Sequence, residues 1–466
     1  MSASASSRRP RLIALAAAVA AVAATGAPAV TAVSAVAAPA APATAQVKPV
    51  PASAGHAMLL SAAAPLSTSD CQAKYQHDCY GPTQYQAAYD TAPLYNQGID
   101  GSGRTIVIVD AFGSPTIQHD LEVFDKQYGL ADTQVQVQKW GSVPAFDPKN
   151  KDMTSWAGET TLDVEYAHAM APGAKIVLVE TGVSETEGTQ GFPEMMDAIK
   201  DVAAKGTGDI VSLSLGATED TFAEQAKKAG DYHLLNNLRY GLKAANDKDI
   251  TVLSASGDAG ATDKMLDGKT SYTKREVGWP ASDPLVTGVG GTRLYLDDQG
   301  NRLSPDEVWN DGDGSAAGGG LSRVFNRPAF QNGVSGVTGN HRAVPDISLS
   351  ASPAGGAWIY SSYDPAHTGW DIIGGTSQAT PMFAGIVALA DQAAGHRLGN
   401  INAALYQLAE SQSDDNPHGI VDVTSGDNST SKVTGFSATE GFDMASGWGT
   451  VDGYQFVKSL AGRDDL

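Results

Sequence analysis

Several short apolar runs, spaced along the middle of the chain, limit what it can fold into. Each has the composition of a strand that is buried on both faces, and they span residues 105–110, 175–179, 210–215, 250–254 and 285–289. Helical patterns lie between them, at 161–170, 192–204 and 232–245. Because strands and helices alternate, we expect an α/β domain of three layers, in which helices cover both faces of a central, mostly parallel sheet.

Polar residues accompany three of these runs. Asp110 ends the first, Ser212 lies in the third, and the turn from Ser256 to Gly260, which contains Asp258, follows the fourth. In open parallel sheets the functional groups gather beyond the carboxyl ends of the strands. We therefore expect a functional site at that edge of the sheet.

A turn of sequence Gly-Gly-Thr-Ser-Gln-Ala-Thr-Pro, at 374–381, precedes the apolar stretch 382–390. This order predicts a tight turn that leads into a helix. The unpaired N–H groups and the positive end of that helix would favour an oxyanion beside Ser377, as an acyl-transfer nucleophile requires. The alternative is a Ser or Thr that merely caps a core helix.

Carboxylates are the better candidates to activate Ser377. Glu159 and Asp163 lie four residues apart on one face of a predicted helix, where two acids in a cleft can share a proton. The alternative is a pair of solvated carboxylates. No histidine stands in an obvious catalytic frame, and His168, the one on a suitable helix, is equally well explained as a partly buried residue.

Asp258 is a third candidate acid. An ionised carboxylate only accepts hydrogen bonds, so Asp258 would have to be protonated to stabilise an oxyanion. A serine nucleophile, a glutamate base and an aspartic acid donor can therefore cooperate only in acid. The alternative for Asp258 is an Asx turn or a helix cap.

Together these motifs resemble the sedolisins, the serine-carboxyl peptidases with a subtilisin-like fold. The resemblance covers about 80 to 461, and the stretches that carry it occur in order at 159–163, 256–260, 279–284, 289–292, 318–322, 344–348, 375–381 and 441–449.

The resemblance implies a role for each candidate residue. Ser377 would be the nucleophile and Glu159 its general base. Asp163 would orient Glu159 and share its proton, and Asp258 would stabilise the tetrahedral oxyanion. Asp110 stands where the family often keeps another acid behind the glutamate, so we expect it to support Glu159 without touching the substrate.

The resemblance also implies one bound Ca²⁺ and a peptide-binding cleft. The expected Ca²⁺ ligands are all oxygens, as this hard cation requires: carboxylates of Asp422 and Asp443, and backbone carbonyls of Val423, Thr439 and Gly441. An extended substrate would pair with the backbone of Ser212, Leu213, Ser214, Leu215, Gly216, Gly319 and Gly320. Leu215 replaces an aromatic residue that is common in the family, so its subsite preference is not carried over.

The N-terminal segment has the order of a signal peptide, with Arg8, Arg9 and Arg11 before an Ala-rich apolar run and a small-residue exit. An uncleaved membrane anchor is the alternative. We expect a signal peptide at 1–38, a flexible leader at 39–79, and a peptidase domain at 80–461 that includes the Ca²⁺ site. Export also favours a disulfide between Cys71 and Cys79. The leader is shorter than the folded prodomain usual in the family, which makes an inhibited zymogen unexpected.

The formal net charge of −21 argues against nucleic acid and anionic membranes as partners. We expect a secreted, extracellular monomer that cleaves peptides or unfolded proteins as an endopeptidase at roughly pH 3–5. The rival hypotheses are a subtilisin-type Ser-His-Asp peptidase and a secreted binding protein without catalysis. Asn428-Ser-Thr is a formal glycosylation sequon.

Overall fold

The computed structural model describes residues 50–51, 57–182, 191–266, 269–413, 415–430, 432–463 and 465–466. All of them belong to the compact unit Thr44–Leu466. The predicted signal peptide at 1–38 and most of the predicted leader before residue 57 lie outside these ranges. Within the described part of the chain, no helix is long and apolar enough to cross a membrane.

The strands and helices alternate through most of the chain. The strands are β1 (Val50–Pro51), β2 (Ala57–Ala62), β3 (Asp78–Tyr80), β4 (Thr105–Ala111), β5 (Gln136–Trp140), β6 (Lys175–Thr181), β7 (Ile210–Leu213), β8 (Leu215–Thr218), β9 (Thr251–Ala255), β10 (Gly278–Trp279), β11 (Thr287–Arg293), β12 (Glu307–Val308), β13 (Gly320–Asn326), β14 (His341–Val344), β15 (Ile347–Ser350), β16 (Gly355–Ser361), β17 (Gly369–Ile373), β18 (Ile420–Val421) and β19 (Thr450–Val451). The α-helices are α1 (Thr68–Tyr75), α2 (Pro82–Ala88), α3 (Ala92–Asn96), α4 (Ile117–Tyr128), α5 (Lys151–Met170), α6 (Gly191–Lys205), α7 (Glu219–Gln225), α8 (His233–Leu238), α9 (Tyr240–Asn246), α10 (Ser335–Thr338), α11 (Thr376–Ala394), α12 (Asn402–Ser411) and α13 (Gly453–Leu460).

The central sheet has the strand order β12-β11-β9-β7-β4-β6-β5, and β15 also pairs with β11. Its pairings are parallel except for β12 with β11. The predicted α/β fold with a mostly parallel sheet is confirmed. The apolar side chains of β4 and β7 are fully buried, as expected for strands that are covered on both faces.

The helices α5 and α11 lie against each other and against strands of the central sheet. The described side chains of α11 are buried almost throughout its length, and α5 is buried from Trp156 to its last residue. Gly385 lets these helices approach closely, because a Cβ at this position would lie 2.5 Å from Met170 Cβ. The predicted helix at 161–170 is thus the second half of α5, which begins at Lys151 and also includes Glu159.

The segment before residue 80 differs from the expected leader. From residue 57 onward it forms β2, α1 and β3, and both strands join β16 and β17 in a four-stranded sheet of order β2-β17-β16-β3. Cys71 and Cys79 form a disulfide that ties α1 to β3. The boundary predicted at residue 80 is therefore wrong for residues 57–79, which are part of the folded body.

A buried ion pair anchors the loop between β14 and β15. Arg342 and Asp346 are both inaccessible to solvent, and two guanidinium nitrogens donate to the two carboxylate oxygens at 2.6 and 2.5 Å. Asp346 also accepts hydrogen bonds from Tyr406 Oη at 2.9 Å and from the backbone N–H of Gly288 at 2.8 Å. The loop is thereby fixed to β11 and α12.

We expect Arg342→Met to lower the free energy of unfolding by about 3–5 kcal/mol, because the carboxylate of Asp346 would stay buried without its cation. Urea unfolding at constant pH measures this. Lys205→Met is the matched control, since it removes an exposed ion pair with Asp201 that is worth at most about 1 kcal/mol. Equal losses in the two variants would show that the buried pair contributes no more than a surface pair.

Candidate active site

Ser377 is the second residue of α11 and is fully buried. The helix follows Gly375, whose φ of 124° lies in the region that favours glycine. Ser377 Oγ has no hydrogen-bond partner among the described residues. The hydroxyl is therefore not used as an ordinary helix cap, and the N-cap residue is Gly375, which has no side chain to offer.

Pro381 changes the hydrogen bonding of the first turn of α11. Proline has no backbone N–H, so the carbonyl of Ser377, four residues earlier, lacks its usual helical partner. Ser214, between β7 and β8, lies beside this carbonyl: its Oγ is 3.4 Å from the carbonyl oxygen of Ser377. The same Oγ donates to Asp163 Oδ1 at 2.8 Å. One hydroxyl thus joins α5 to the turn that carries Ser377.

Three acids lie together beside this turn. Glu159 and Asp163 project from α5, Asp110 is the last residue but one of β4, and all three are fully buried. Burial raises the pKa of Asp163 well above its usual value, and the charges of Asp110 and Glu159 raise it further, against the hydrogen bond from Ser214.

Asp110 responds to the same environment. Burial raises its pKa well above the ordinary value, and the charge of Glu159 adds to the effect, whereas the hydrogen bond from Thr160 Oγ1 at 2.9 Å opposes it. Because burial and the neighbouring charges raise the pKa values of Asp110 and Asp163, the three buried acids cannot all be ionised near neutral pH. The group therefore retains protons well above the pH at which exposed carboxyls lose theirs.

Asp258 lies in the turn after β9 and is bonded to Thr376, the residue before the nucleophile. Its Oδ1 accepts hydrogen bonds from the backbone N–H of Thr376 at 2.8 Å and from Thr376 Oγ1 at 2.7 Å. Burial raises the pKa of Asp258 to about 8 despite these two hydrogen bonds. A carboxyl with this pKa is protonated in acid and can then donate a hydrogen bond.

The edge of β8 is arranged for backbone pairing. The side chains of Ser212, Leu213, Ser214 and Leu215 are buried, which leaves backbone groups as the available contacts. On one side β8 pairs with β10, and on the other it pairs antiparallel with β1, where Val50 and Pro51 lie opposite Gly216 and Leu215. This edge therefore accepts an extended segment from elsewhere in the chain.

The glycine-rich stretch at 318–320 is packed against the turn that holds Asp258. Gly318 N–H donates to the carbonyl of Gly257 at 2.7 Å, and Ser256 Oγ donates to the carbonyl of Gly318 at 2.7 Å. Gly320 pairs with Val344 in β14. Gly319 lies between them, and its carbonyl is 3.5 Å from Asn428 Nδ2.

The sequence model of the subtilase family matches residues 149–435, more than half of the chain. The chain belongs to this family. Among curated relatives, kumamolisin from Bacillus sp. (strain MN-32) is 32% identical over 81% of this chain and 64% of that protein. Sedolisin from Pseudomonas sp. (strain 101) is 32% identical over 80% of this chain and 60% of that protein.

The solved structures agree with this assignment. A Pseudomonas sedolisin, described as a serine-carboxyl proteinase complexed with pseudo-iodotyrostatin, has a TM-score of 0.69 and 28% identity, and the alignment covers 83% of this chain and 99% of that one. The resemblance to the sedolisins and the subtilisin-like fold are thus confirmed. This subtilase chain spans 64% of the length of kumamolisin and 60% of the length of sedolisin.

The structure brings the predicted catalytic residues of this subtilase together. Ser377 and Asp163 are linked through Ser214, Asp110 and Glu159 lie beside Asp163, and Asp258 binds the residue before Ser377. Their catalytic roles stay predictions. His168 is elsewhere: it is fully buried, its Nε2 lies 3.3 Å from Asp125 Oδ1 and 3.0 Å from the carbonyl of Ala131, and it follows Glu159 by about 13 Å along α5.

Sequence reasoning missed a buried acid that joins the walls of the site. Glu219, at the start of α7, is fully buried and accepts hydrogen bonds from Ser282 Oγ at 2.7 Å, Ser322 Oγ at 2.6 Å and the backbone N–H of Arg323 at 2.7 Å. Both serines lie in motifs that resemble the sedolisins, at 279–284 and 318–322. Two serines in such motifs could have indicated a shared hydrogen-bond acceptor. No pattern in the sequence, however, identified Glu219 as that acceptor.

The residues expected to bind Ca²⁺ form one loop cluster. Asp422 Oδ2 accepts from Gly441 N–H at 2.7 Å, and Asp443 Oδ2 accepts from Thr439 N–H at 2.9 Å. In the described ranges no backbone N–H donates to the carbonyls of Val423, Thr439 or Gly441, although Ser446 Oγ is 3.5 Å from that of Val423. These oxygens suit a hard cation. No group of three or more His, Cys, Asp or Glu side chains able to hold a metal occurs in the described residues, so a cation here would depend on carbonyls.

Asn428, the asparagine of the sequon, is fully buried. Its Oδ1 accepts from the backbone N–H of Phe436 at 2.8 Å, and its backbone carbonyl accepts from Ala261 N–H at 3.0 Å. The residue therefore connects the 428–436 loop to the segment just after Asp258.

We expect Asp258 to make the stability of the protein depend on pH. Its pKa is about 8 in the folded state and about 4 when unfolded. The protonated form therefore contributes stability that is complete below about pH 4 and is lost as the pH rises towards 8, by up to about 5 kcal/mol at about 1.4 kcal/mol per pKa unit.

Asp258→Asn removes this contribution, because the amide cannot ionise. Denaturant unfolding between pH 4 and 8 should show a smaller decline for Asp258→Asn than for the wild type. Asp152→Asn, which changes an exposed acid on the first turn of α5, should follow the wild type. Parallel curves for Asp258→Asn and the wild type would mean that Asp258 titrates normally in the fold.

Proposed function

We propose that the protein is a secreted serine-carboxyl endopeptidase that cleaves peptide bonds in acid through an acyl-enzyme on Ser377. The observation that carries this proposal is the position of Ser214 Oγ, 2.8 Å from Asp163 Oδ1 and 3.4 Å from the carbonyl of Ser377. It brings the acids of α5 to the nucleophile at the start of α11. Membership of the subtilase family supports the reaction class.

Acylation requires one base and one hydrogen-bond donor. Ionised Glu159 removes the proton of Ser377 Oγ as this oxygen bonds to the substrate carbonyl carbon, and the π electrons of the carbonyl move to its oxygen. Protonated Asp258 donates a hydrogen bond to the new oxyanion. The C–N bond then breaks, the leaving amine takes the proton from Glu159, and the acyl group stays on Ser377.

Deacylation repeats these steps with water. Glu159 takes a proton from the water as its oxygen bonds to the acyl carbon, and the proton returns to Ser377 Oγ when the ester bond breaks. Asp163 and Asp110, whose pKa values are raised by burial and by the charge of Glu159, remain protonated while Glu159 carries the negative charge. The three acids then carry one negative charge in total, on Glu159, and its two neighbouring carboxyls are neutral.

An extended peptide is the substrate that suits the cleft best. Leu215 and Gly216 of β8 pair antiparallel with Pro51 and Val50, and a substrate strand that takes the place of these two residues would use the same backbone groups of β8. Backbone pairing selects an unfolded chain over a folded one. Gly318, which precedes Gly319 and Gly320, is bonded to the turn around Asp258, and this supports a second wall of the same cleft.

Further properties belong to this proposal. The order of residues 1–38 and the disulfide between Cys71 and Cys79 support export to an extracellular, oxidising compartment. We also propose one Ca²⁺ at Asp422, Val423, Thr439, Gly441 and Asp443, which would hold the 422–443 loops together. The protein acts as a monomer and does not bind nucleic acid, in keeping with its net charge of −21.

Hydrolysis of an unfolded protein across pH 2–9 tests the catalytic proposal. We expect greatest activity at roughly pH 3–5, near ordinary carboxyl pKa values, and a loss of activity as Asp258 ionises around pH 8. Glu159→Gln should lower kcat by about 10²–10⁴-fold, because the amide cannot accept the proton of Ser377.

Glu165→Gln is the matched control. Glu165 is a buried acid on the same helix whose pKa is raised well above normal by burial, so its neutral form resembles glutamine. This variant should keep its activity. Activity that peaks near neutrality and survives Glu159→Gln would contradict a carboxylate base. The absence of activity at every pH, in wild type as in Ser377→Ala, would favour the non-catalytic binding protein.

Thermal unfolding with CaCl₂ and with EDTA tests the Ca²⁺ site. We expect Ca²⁺ to stabilise the wild type, by about 2.7 kcal/mol when its concentration is about 100 times Kd. Asp422→Asn should remove most of this stabilisation. Asp427→Asn changes a nearby acid outside the proposed ligand set and should leave it in place. Equal responses to Ca²⁺ in both variants would contradict this site.

A further inference from the structure

Thr376 makes a set of hydrogen bonds that none of the roles described so far requires. Its backbone N–H and its hydroxyl both donate to Asp258 Oδ1, at 2.8 and 2.7 Å. The backbone N–H of Gly257 donates to Thr376 Oγ1 at 3.1 Å. A threonine hydroxyl has a single proton. Since Oγ1 accepts from Gly257, that proton is available for Asp258 and is directed to it.

The two hydrogen bonds that Thr376 donates make the two oxygens of the Asp258 carboxyl different from each other. A carboxyl oxygen has two lone-pair directions in its plane, and both donors of Thr376 act on Oδ1. When Asp258 is protonated, its proton must therefore reside on Oδ2. Only the oxygen that bears the proton can donate a hydrogen bond to an oxyanion.

Thr376 also links Asp258 to Ser377 through the backbone. Thr376 immediately precedes Ser377, and its N–H is one of the helix N-terminal groups that have no partner within α11. Asp258 supplies that partner although it lies 118 residues away in the sequence. Thr376 therefore sets the position of Asp258 relative to Ser377, because both the backbone and the side chain of Thr376 are bonded to Asp258.

We propose that Thr376 is a positioning residue that keeps the proton of Asp258 on Oδ2 and thereby makes this carboxyl a hydrogen-bond donor to the oxyanion. The inference rests on the proposed peptidase function and adds to it the residue that orients the acid. It predicts that the hydroxyl of Thr376 matters in the transition state, where the oxyanion exists, and has little effect on the binding of the substrate ground state.

The kinetic constants of Thr376→Val and Thr376→Ser on a peptide substrate test the proposal. Valine keeps the shape and the backbone N–H but loses the hydroxyl, so we expect kcat to fall by about 10–100-fold while KM changes by less than about 3-fold. Serine keeps the hydroxyl and should retain most of the activity. Thr161→Val, which removes a buried hydroxyl that donates to the carbonyl of Ala157 within α5, is the matched control and should behave like the wild type.

The pH profile separates positioning from general damage. Hydrogen bonds from Thr376 lower the pKa of Asp258, whereas burial raises it. Loss of the hydroxyl should move the alkaline limb of kcat/KM to higher pH in Thr376→Val, and Thr376→Ser should restore it. A structural defect would lower activity at every pH without moving this limb. If Thr376→Val does not fold, Thr376→Ala removes the same hydroxyl without adding a methyl group.

A double-mutant cycle with Asp258→Ala gives the decisive comparison. If Thr376 acts through Asp258, Thr376→Val should cost at most about 2-fold when Asp258 is already absent. Equal costs in the two backgrounds, or equal losses in Thr376→Val and Thr376→Ser, would overturn the role proposed for Thr376 alone. A wild type that neither hydrolyses peptides nor binds a peptide aldehyde at Ser377 at any pH would instead overturn the proposed function, and this inference with it.

Discussion

The removal of carboxyl groups from water around Ser377 is the constraint on which the rest of the structure depends. A buried charge without compensation is too costly for a fold to tolerate, so each buried acid must be neutralised. The protein does this in two ways. Asp346 is paired with a guanidinium, whereas Asp110, Asp163 and Asp258 are kept neutral by protons that burial makes harder to lose. The pairing of Asp346 with a guanidinium does not depend on a bound proton, whereas the neutral state of the other three acids is lost as the pH rises.

Hydroxyl groups hold these acids in place without fixing their charge. Thr160 donates to Asp110, Ser214 to Asp163 and Thr376 to Asp258, each from a different part of the chain. A lysine or arginine in any of these positions would keep the neighbouring carboxyl ionised at all relevant pH values. A hydroxyl orients either protonation state, because it can donate to the carbonyl oxygen of the acid as well as to the carboxylate. The choice of Ser and Thr is therefore compatible with proton sharing.

The sequence was sufficient to predict the sheet and most of the site, and its failures have physical causes. Continuous apolar runs identified the central strands because burial on both faces leaves no polar alternation. The stretch 210–215 was predicted as one strand but divides at Ser214, whose hydroxyl is used by Asp163 and the Ser377 turn. The segment at 57–62 was missed because its Ala-rich composition resembles a linker and its partner strand, β17, lies about 310 residues away in sequence. The bond between Asp258 and Thr376 was equally invisible, since only the fold brings the two turns together.

The buried position of Asn428 bears on how the protein must be made. Its side chain and backbone are bonded to Phe436 and Ala261, so an enzyme that attaches sugars cannot reach Nδ2 once the 428–436 loop has closed. In a host that glycosylates nascent chains, the modification would compete with folding, and a chain that received a glycan could not seat this loop beside the segment that follows Asp258. Such a host would yield two populations, one sugar-free and folded and the other modified and misassembled. Bacterial expression avoids this division.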